Sequence, residues 1–235
     1  YPIDCEAFMK DNSGKYVKYL WDPNSYINIM VYNFTTEPNS NSVTLGISHI
    51  PFSTTGKHYL EGLGETDYSH LTLANLQFPL CVSINSLYIN EESTPTEYST
   101  ADIVVTLAHE LGHYLGLHHV FAETTNGTCE DTDYCTDTPT YNITKYTEWI
   151  NGIDNPDKYS FDELCTRTNC EGSTFISHNI MDYAFCYSDQ FTFQQRKRIR
   201  HVLSYSPLIP GVKKYTSTDT RSLSCDEQPP IQFRY

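Results

Sequence analysis

Residues 109–119 read HELGHYLGLHH, four histidines and one glutamate in eleven positions, and no other stretch constrains the chain as tightly. On an α-helix, side chains four apart lie about 40° from each other in projection, so His109 and His113 share a face. Two imidazoles on one face make half of a tetrahedral zinc site, their second ring nitrogens held by outer acceptors. Glu110 follows the first imidazole directly. Its carboxylate then lies beside the metal without coordinating it, placed to take a proton from metal-bound water. The next position on that face is Leu117, which cannot ligate. Gly116 tolerates the left-handed conformation that ends a helix, so the chain can turn back and present His118 or His119.

The pattern H-E-x-x-H-x-x-G-x-x-H fits His109, Glu110, His113, Gly116 and His119, and leaves His118 as a surface residue or outer donor. At this chain's residue frequencies the pattern arises by chance on the order of 10⁻⁵ to 10⁻⁴ times per chain. Two alternatives weaken against that figure. One is a core helix with satisfied histidines. The other takes Glu148, Glu163 or Glu171 as third ligand, but none sits in a helical motif.

Apolar residues Ile103, Val104, Leu107, Ala108, Leu111 and Leu115 recur at three- and four-residue spacing and predict the helix under the motif. Ser99 with Asp102 resembles a capping box, which starts that helix near Thr100. Upstream, YINIMVYNF (26–34), VTLGISHIPF (43–52) and LCVSINSLYIN (80–90) read as strands, with a Gly-punctuated loop before the third. Residues 120–180 read as loop-rich and hold four of the eight cysteines. A second helix is predicted in FTFQQRKRIRHVLSY, with Thr192 and Gln195 as its capping box. Its basic run, Arg196, Lys197, Arg198 and Arg200, spreads around a solvated face, with Ile199, Val202 and Leu203 turned inward. The polar, Pro-containing stretch 216–235 reads as an extended tail that Cys225 can pin to the body.

A length of 235 residues suffices for one domain or two packed subdomains. The net charge of −14 disfavours nucleic acid; it serves solubility, and it also supplies carboxylates for Ca²⁺. No apolar run is long enough to span a bilayer. The chain opens on YPIDC without an initiator Met, so upstream sequence is expected to have been removed. Eight cysteines without C-x-x-C spacing point to disulfides outside the cytosol rather than to a structural zinc ribbon. Sequons at Asn33, Asn126 and Asn142 matter only in a host that glycosylates them.

With NIMDY at 179–183 standing as a Met-turn, HELGHYLGLHH resembles the metzincin zinc metalloproteinases. More narrowly the chain resembles the pappalysin (cytophagalysin) family, on the Cys-containing loop CEDTDYCTDTP (129–139), the form of the Met-turn and the helix FTFQQRKRIRHVL. The resemblance covers about residues 1 to 205. It implies that Met181 forms the hydrophobic floor beneath the zinc and that Tyr183 hydrogen-bonds the developing oxyanion. It implies that the strand at 46–52, as upper rim of a cleft, pairs with an extended substrate. It also implies Ca²⁺ sites, for which Asp131, Asp133 and Asp137, with Thr138 and Glu171, can supply oxygens; a solvated acidic turn closed by a disulfide is the alternative. By the same analogy Cys165 pairs with Cys186, and Cys129 or Cys135 with Cys170. Asp189 stands near the family's substrate-pocket acid, which favours Lys or Arg after the scissile bond. The cysteine after the Met-turn comes earlier than in those relatives, which weakens that transfer. The family's first strand and its backing helix should precede residue 1.

The expected protein is therefore an α+β, metzincin-like zincin with a twisted, mostly parallel sheet. An upper zinc-binding subdomain (1–119) carries the active-site helix, a lower one (120–215) the Met-turn and C-terminal helix, and 216–235 the tail. The expected activity is that of a zinc endopeptidase on extracellular proteins. It is monomeric and extracytoplasmic, secreted or lipid-anchored through a segment upstream of residue 1. A catalytically inactive metalloprotease-like binding module and a small-substrate zinc amidase are the alternatives. Glu110 and Tyr183 argue against the first, since a structural site uses neither.

Overall fold

The computed structural model describes all residues except 36–42, 68–70, 95–96, 124–127, 215–230 and 235, and only the backbone of 232–234. Asn126 and Cys225 lie outside the described residues. Elements run in the order α1 (Cys5–Met9), β1 (Ile29–Tyr32), β2 (Gly46–His49), β3 (Ser53–Thr54), β4 (Glu65–Thr66), β5 (Val82–Asn85) and α2 (Ile103–Tyr114). After these come α3 (Ile143–Asn151), α4 (Phe161–Cys165), β6 (Thr166–Thr168), β7 (Thr174–Ile176), α5 (Phe193–Tyr205) and β8 (Ile231–Arg234). The chain divides into two compact units, 1–116 with 198–235, and 117–197. The division expected after 119 thus falls after 116, and most of the C-terminal helix belongs with the first unit.

The first unit is built on a four-stranded sheet in the order β1-β5-β2-β8. The α+β class holds, but the sheet is mixed rather than mostly parallel. β1 runs parallel to β5, whereas β2 is antiparallel to both β5 and β8. Composition marks a strand without its direction, which the connections decide. Ile47, Val82 and Ile84 are buried in the core with Met9, Leu71, Leu80, Tyr114 and Val202, and Ile103, Leu107, Leu111 and Leu115 of α2 pack against it. Val104, expected in the helix's apolar stripe, is exposed.

α5 contributes to this unit through polar groups as much as apolar ones. Arg198 is buried, donating to the carbonyls of Gly116 (3.2 Å) and Glu61 (2.9 Å). His201 Nε2 donates to the His58 carbonyl at 2.8 Å. The solvated basic face therefore lacks Arg198, and Leu203, expected inward, is exposed.

The second unit is less irregular than its sequence suggests. Asn142 caps α3 by accepting from Lys145 N–H at 3.1 Å, and Ser160 with Glu163 forms a capping box for α4. β6 and β7 form an antiparallel hairpin. The disulfide Cys129–Cys170 joins the unit's Asp-rich loop to that hairpin. No Cys165–Cys186 disulfide is formed. Both residues are buried, and the Cys186 thiol instead donates to the Asn179 carbonyl (3.3 Å) and accepts Ser188 N–H (3.4 Å).

His49 makes the first unit sensitive to acid. Its ring is fully buried, with Nδ1 accepting Cys81 N–H at 3.2 Å and Nε2 donating to the Met9 carbonyl at 3.1 Å. A neutral ring satisfies both contacts, and burial pushes the pKa down to about 4. Because the folded value lies below the unfolded one of about 6.5, this stabilisation is present above pH 6.5 and lost as pH falls toward 4; it amounts to about 3 kcal/mol. Urea titrations of wild type and His49→Gln should therefore converge by that amount between pH 7 and 4. A pH-independent gap would remove His49 from the acid response.

Candidate active site

The helix that carries the motif starts at Ile103, not near Thr100. Asp102 is its N-cap, its carboxylate accepting from Val104 N–H (2.9 Å) and Val105 N–H (3.2 Å), a role Ser99 does not take. Along α2, His109, Glu110 and His113 are buried. His109 and His113 stand one turn apart with their Nε2 atoms 3.1 Å from each other. Tetrahedral zinc with bonds of 2.0–2.1 Å spaces two ligand nitrogens by about 3.3 Å, so this pair fits such an ion. Gly116 ends the helix at φ +91°, its N–H bonded to the His113 carbonyl at 2.9 Å. Three residues later His119 returns to the pair, and one ring nitrogen from each of the three histidines lies within 4.8 Å of the others. Among the described residues no other trio of His, Cys, Asp or Glu gathers this way. All-nitrogen donors of this kind suit zinc.

Nδ1 of His119 hydrogen-bonds the Glu123 carboxylate, which leaves Nε2 for a metal. Such a carboxylate fixes the ring's tautomer and orientation. Glu123 was not among the expected site residues; its one signal in the sequence is an acid four positions past the third histidine. The His119 ring also stacks on Phe121, centroids 4.7 Å apart, and meets Tyr183 edge-on at 4.5 Å. His118 is not a surface residue: it is buried, with its ring against Tyr134.

Glu110 lies against β2. A Cβ placed on Gly46 would fall 2.6 Å from Glu110 Cγ and 2.8 Å from its carboxylate carbon, so only glycine admits this approach. A glycine inside a strand often marks such a close neighbour.

In the second unit the turn 179–183 is held from several sides. Met181 is fully buried, its N–H donating to Asn179 Oδ1 (2.9 Å) and its carbonyl accepting Val120 N–H (3.3 Å). Asp182 accepts from Tyr183 N–H at 2.7 Å and from the hydroxyls of Tyr141 and Ser177. Arg167, also buried, donates to the carbonyls of Tyr183 (3.1 Å) and Phe185 (2.7 Å), and its Nε lies 3.6 Å from Asp182. Arg167 has no motif around it, and its role is legible only in three dimensions.

In the Asp-rich loop the expected calcium ligands make hydrogen bonds of their own. Asp131 Oδ1 accepts Asp133 N–H (3.1 Å), Asp133 accepts Cys135 N–H (2.8 Å) and the Thr138 hydroxyl (2.7 Å), and Asp137 accepts Gln194 N–H (2.9 Å). Glu171 is exposed, its N–H donating to Asn169 Oδ1. These carboxylates order a turn and the start of α5. Asp189 is exposed and pairs with His178 Nδ1 at 3.2 Å.

Residues 11–204 match the family model described as pregnancy-associated plasma protein-A, Peptidase_M43. An extracellular metalloprotease of Arthroderma otae is 40% identical over 96 residues, and one of Arthroderma benhamiae is 36% identical over the same length. Each alignment covers 40% of this chain and 29% of the relative, so the match spans less than a third of those proteins. Mature mirolysin of Tannerella forsythia, solved in complex with a cleaved peptide, aligns at 23% identity and a TM-score of 0.49, over 85% of this chain and 60% of that one.

Proposed function

The chain belongs to the pregnancy-associated plasma protein-A (pappalysin) family of metzincin peptidases, and from that premise we propose that it is a zinc-dependent endopeptidase. The observation that carries the proposal is the convergence of three buried histidine nitrogens with a buried glutamate next in sequence to the first of them. His109, His113 and His119 would hold zinc, which supplies Lewis acidity toward a peptide carbonyl and toward water. Glu110 accepts a proton from the attacking water and delivers it to the leaving amine. Glu123 holds the His119 ring in its ligating orientation. Tyr183, whose ring meets that of His119, donates its hydroxyl proton as a hydrogen bond to the oxyanion. Met181, fully buried, would form the apolar floor of the metal site.

Substrates on this reading are proteins or peptides bound extended along β2. Asp189, with its exposed carboxylate, is the group to vary first for a preference for Lys or Arg after the scissile bond. Asp131, Asp133, Asp137 and Thr138 are the groups that would supply oxygens to Ca²⁺. No described helix is long and apolar enough to cross a membrane; extracellular action is part of the proposal, in keeping with the names of the fungal relatives.

Metal removal tests it. The purified chain should carry equimolar zinc and cleave casein or gelatin. Cleavage should vanish on dialysis against 1,10-phenanthroline and return with added zinc. Proteolysis surviving in zinc-free protein, or zinc binding with no cleavage of any protein or peptide, would overturn the assignment.

A further inference from the structure

The geometry points to β8 as an internal competitor for the edge of β2 along which a substrate would lie. The pairing itself is independent of the endopeptidase reading, but its consequence rests on that reading. A central strand offers hydrogen-bonding groups on two edges, and β5 takes one edge of β2 while β8 takes the other. β8 runs antiparallel, with Arg234 opposite Gly46, Phe233 opposite Ile47, Gln232 opposite Ser48 and Ile231 opposite His49. It also lies in contact with α2.

A second observation places this edge at the chemistry. Gly46 approaches Glu110 so closely that a Cβ on it would overlap the glutamate side chain. A chain paired along β2 therefore passes the general base where Arg234 stands opposite Gly46. An extended peptide recognised by strand addition needs the N–H and C=O groups that β8 already holds. β8 thus occupies the substrate's position as a strand of the same kind, and displacing it leaves Glu110 and the three histidines untouched. This predicts an effect on KM and not on kcat.

The magnitude follows from tethering. A segment of the same chain acts at an effective concentration in the millimolar range. If its intrinsic affinity for the edge is about 0.1 mM, it raises the apparent KM about tenfold. Proline removes ladder donors, so Gln232→Pro/Phe233→Pro unpairs β8 and leaves β5 on β2. Phe233→Pro alone is the milder variant should the double one fold poorly.

On a fluorogenic peptide substrate the proline variant should show a KM about tenfold lower than the unmodified chain at equal kcat. The synthetic peptide PIQFRY should inhibit the variant competitively. An equal KM in the two proteins overturns the inference. A readout without turnover separates its failure from that of the protease reading. Fluorescein-labelled PIQFRY, followed by anisotropy, should bind the proline variant carrying Glu110→Ala and not the Glu110→Ala chain with β8 intact. That contrast without any cleavage would sink the protease and keep the competitor; cleavage without that contrast would do the reverse.

Discussion

Glu110→Gln should abolish proteolysis while zinc stays bound. The amide has nearly the shape of the carboxylate, so it keeps its place beneath Gly46, where a longer or branched side chain would collide with β2. It adds no ligand and removes none from the three histidines. What it loses is the ability to accept a proton from water and pass it to the departing amine. General base and acid assistance is worth about 10²- to 10⁴-fold in rate, and one residue serving both steps should fall at the upper end. A loss of about 10⁴-fold in kcat/KM corresponds to about 5.4 kcal/mol of transition-state stabilisation. The check is kcat/KM on a proteome-derived peptide library, with metal content measured on the same samples. Cleavage within tenfold of wild type would remove Glu110 from the mechanism. Zinc lost together with activity would mean that the residue holds the metal site rather than acting beside it.

The parts of this site legible in the sequence are those whose cause is local. His109 and His113 share a face because a helix repeats every 3.6 residues, and Gly116 breaks that helix because only glycine takes a positive φ without strain. Both properties are written within eleven positions. The parts that were not legible depend on choices among near neighbours or on distant residues. Asp102 rather than Ser99 caps α2, a choice among near neighbours that pattern alone does not make. α3 has a β-branched and aromatic sequence, ITKYTEWIN, with poor intrinsic helix propensity. It is stabilised by packing: Tyr146 is buried under the Arg167 guanidinium, 3.4 Å from its ring centre and 21 residues away in the chain. Arg167 in turn holds the carbonyls after Met181. The antiparallel course of β2 likewise reflects which neighbours it meets, and β8 as one of them lies 182 residues further on.

Gly116→Ala should destabilise the first unit on two counts. A non-glycine residue in the left-handed region costs about 1–2 kcal/mol, and here the added Cβ would also stand 2.7 Å from Val202 Cγ2 and 3.6 Å from Leu63 and Pro51. Val202 is fully buried, so it has no solvent to retreat into. Overpacking of this kind costs about 1–3 kcal/mol, which brings the expected loss to about 2–5 kcal/mol. His119 lies three residues beyond the turn, so a shifted turn should weaken zinc binding as well as folding. Urea unfolding of the zinc-free protein isolates the folding term, and zinc competition with a chromogenic chelator reads the second. Val202→Ala separates the two folding causes. In that background the clash is relieved while the φ requirement stays, so Gly116→Ala should cost only about 1–2 kcal/mol. An unchanged cost would assign the whole effect to the backbone. A cost below about 0.5 kcal/mol in wild type, with zinc affinity intact, would show that the turn admits a side chain and that His119 is brought to the metal by something other than Gly116.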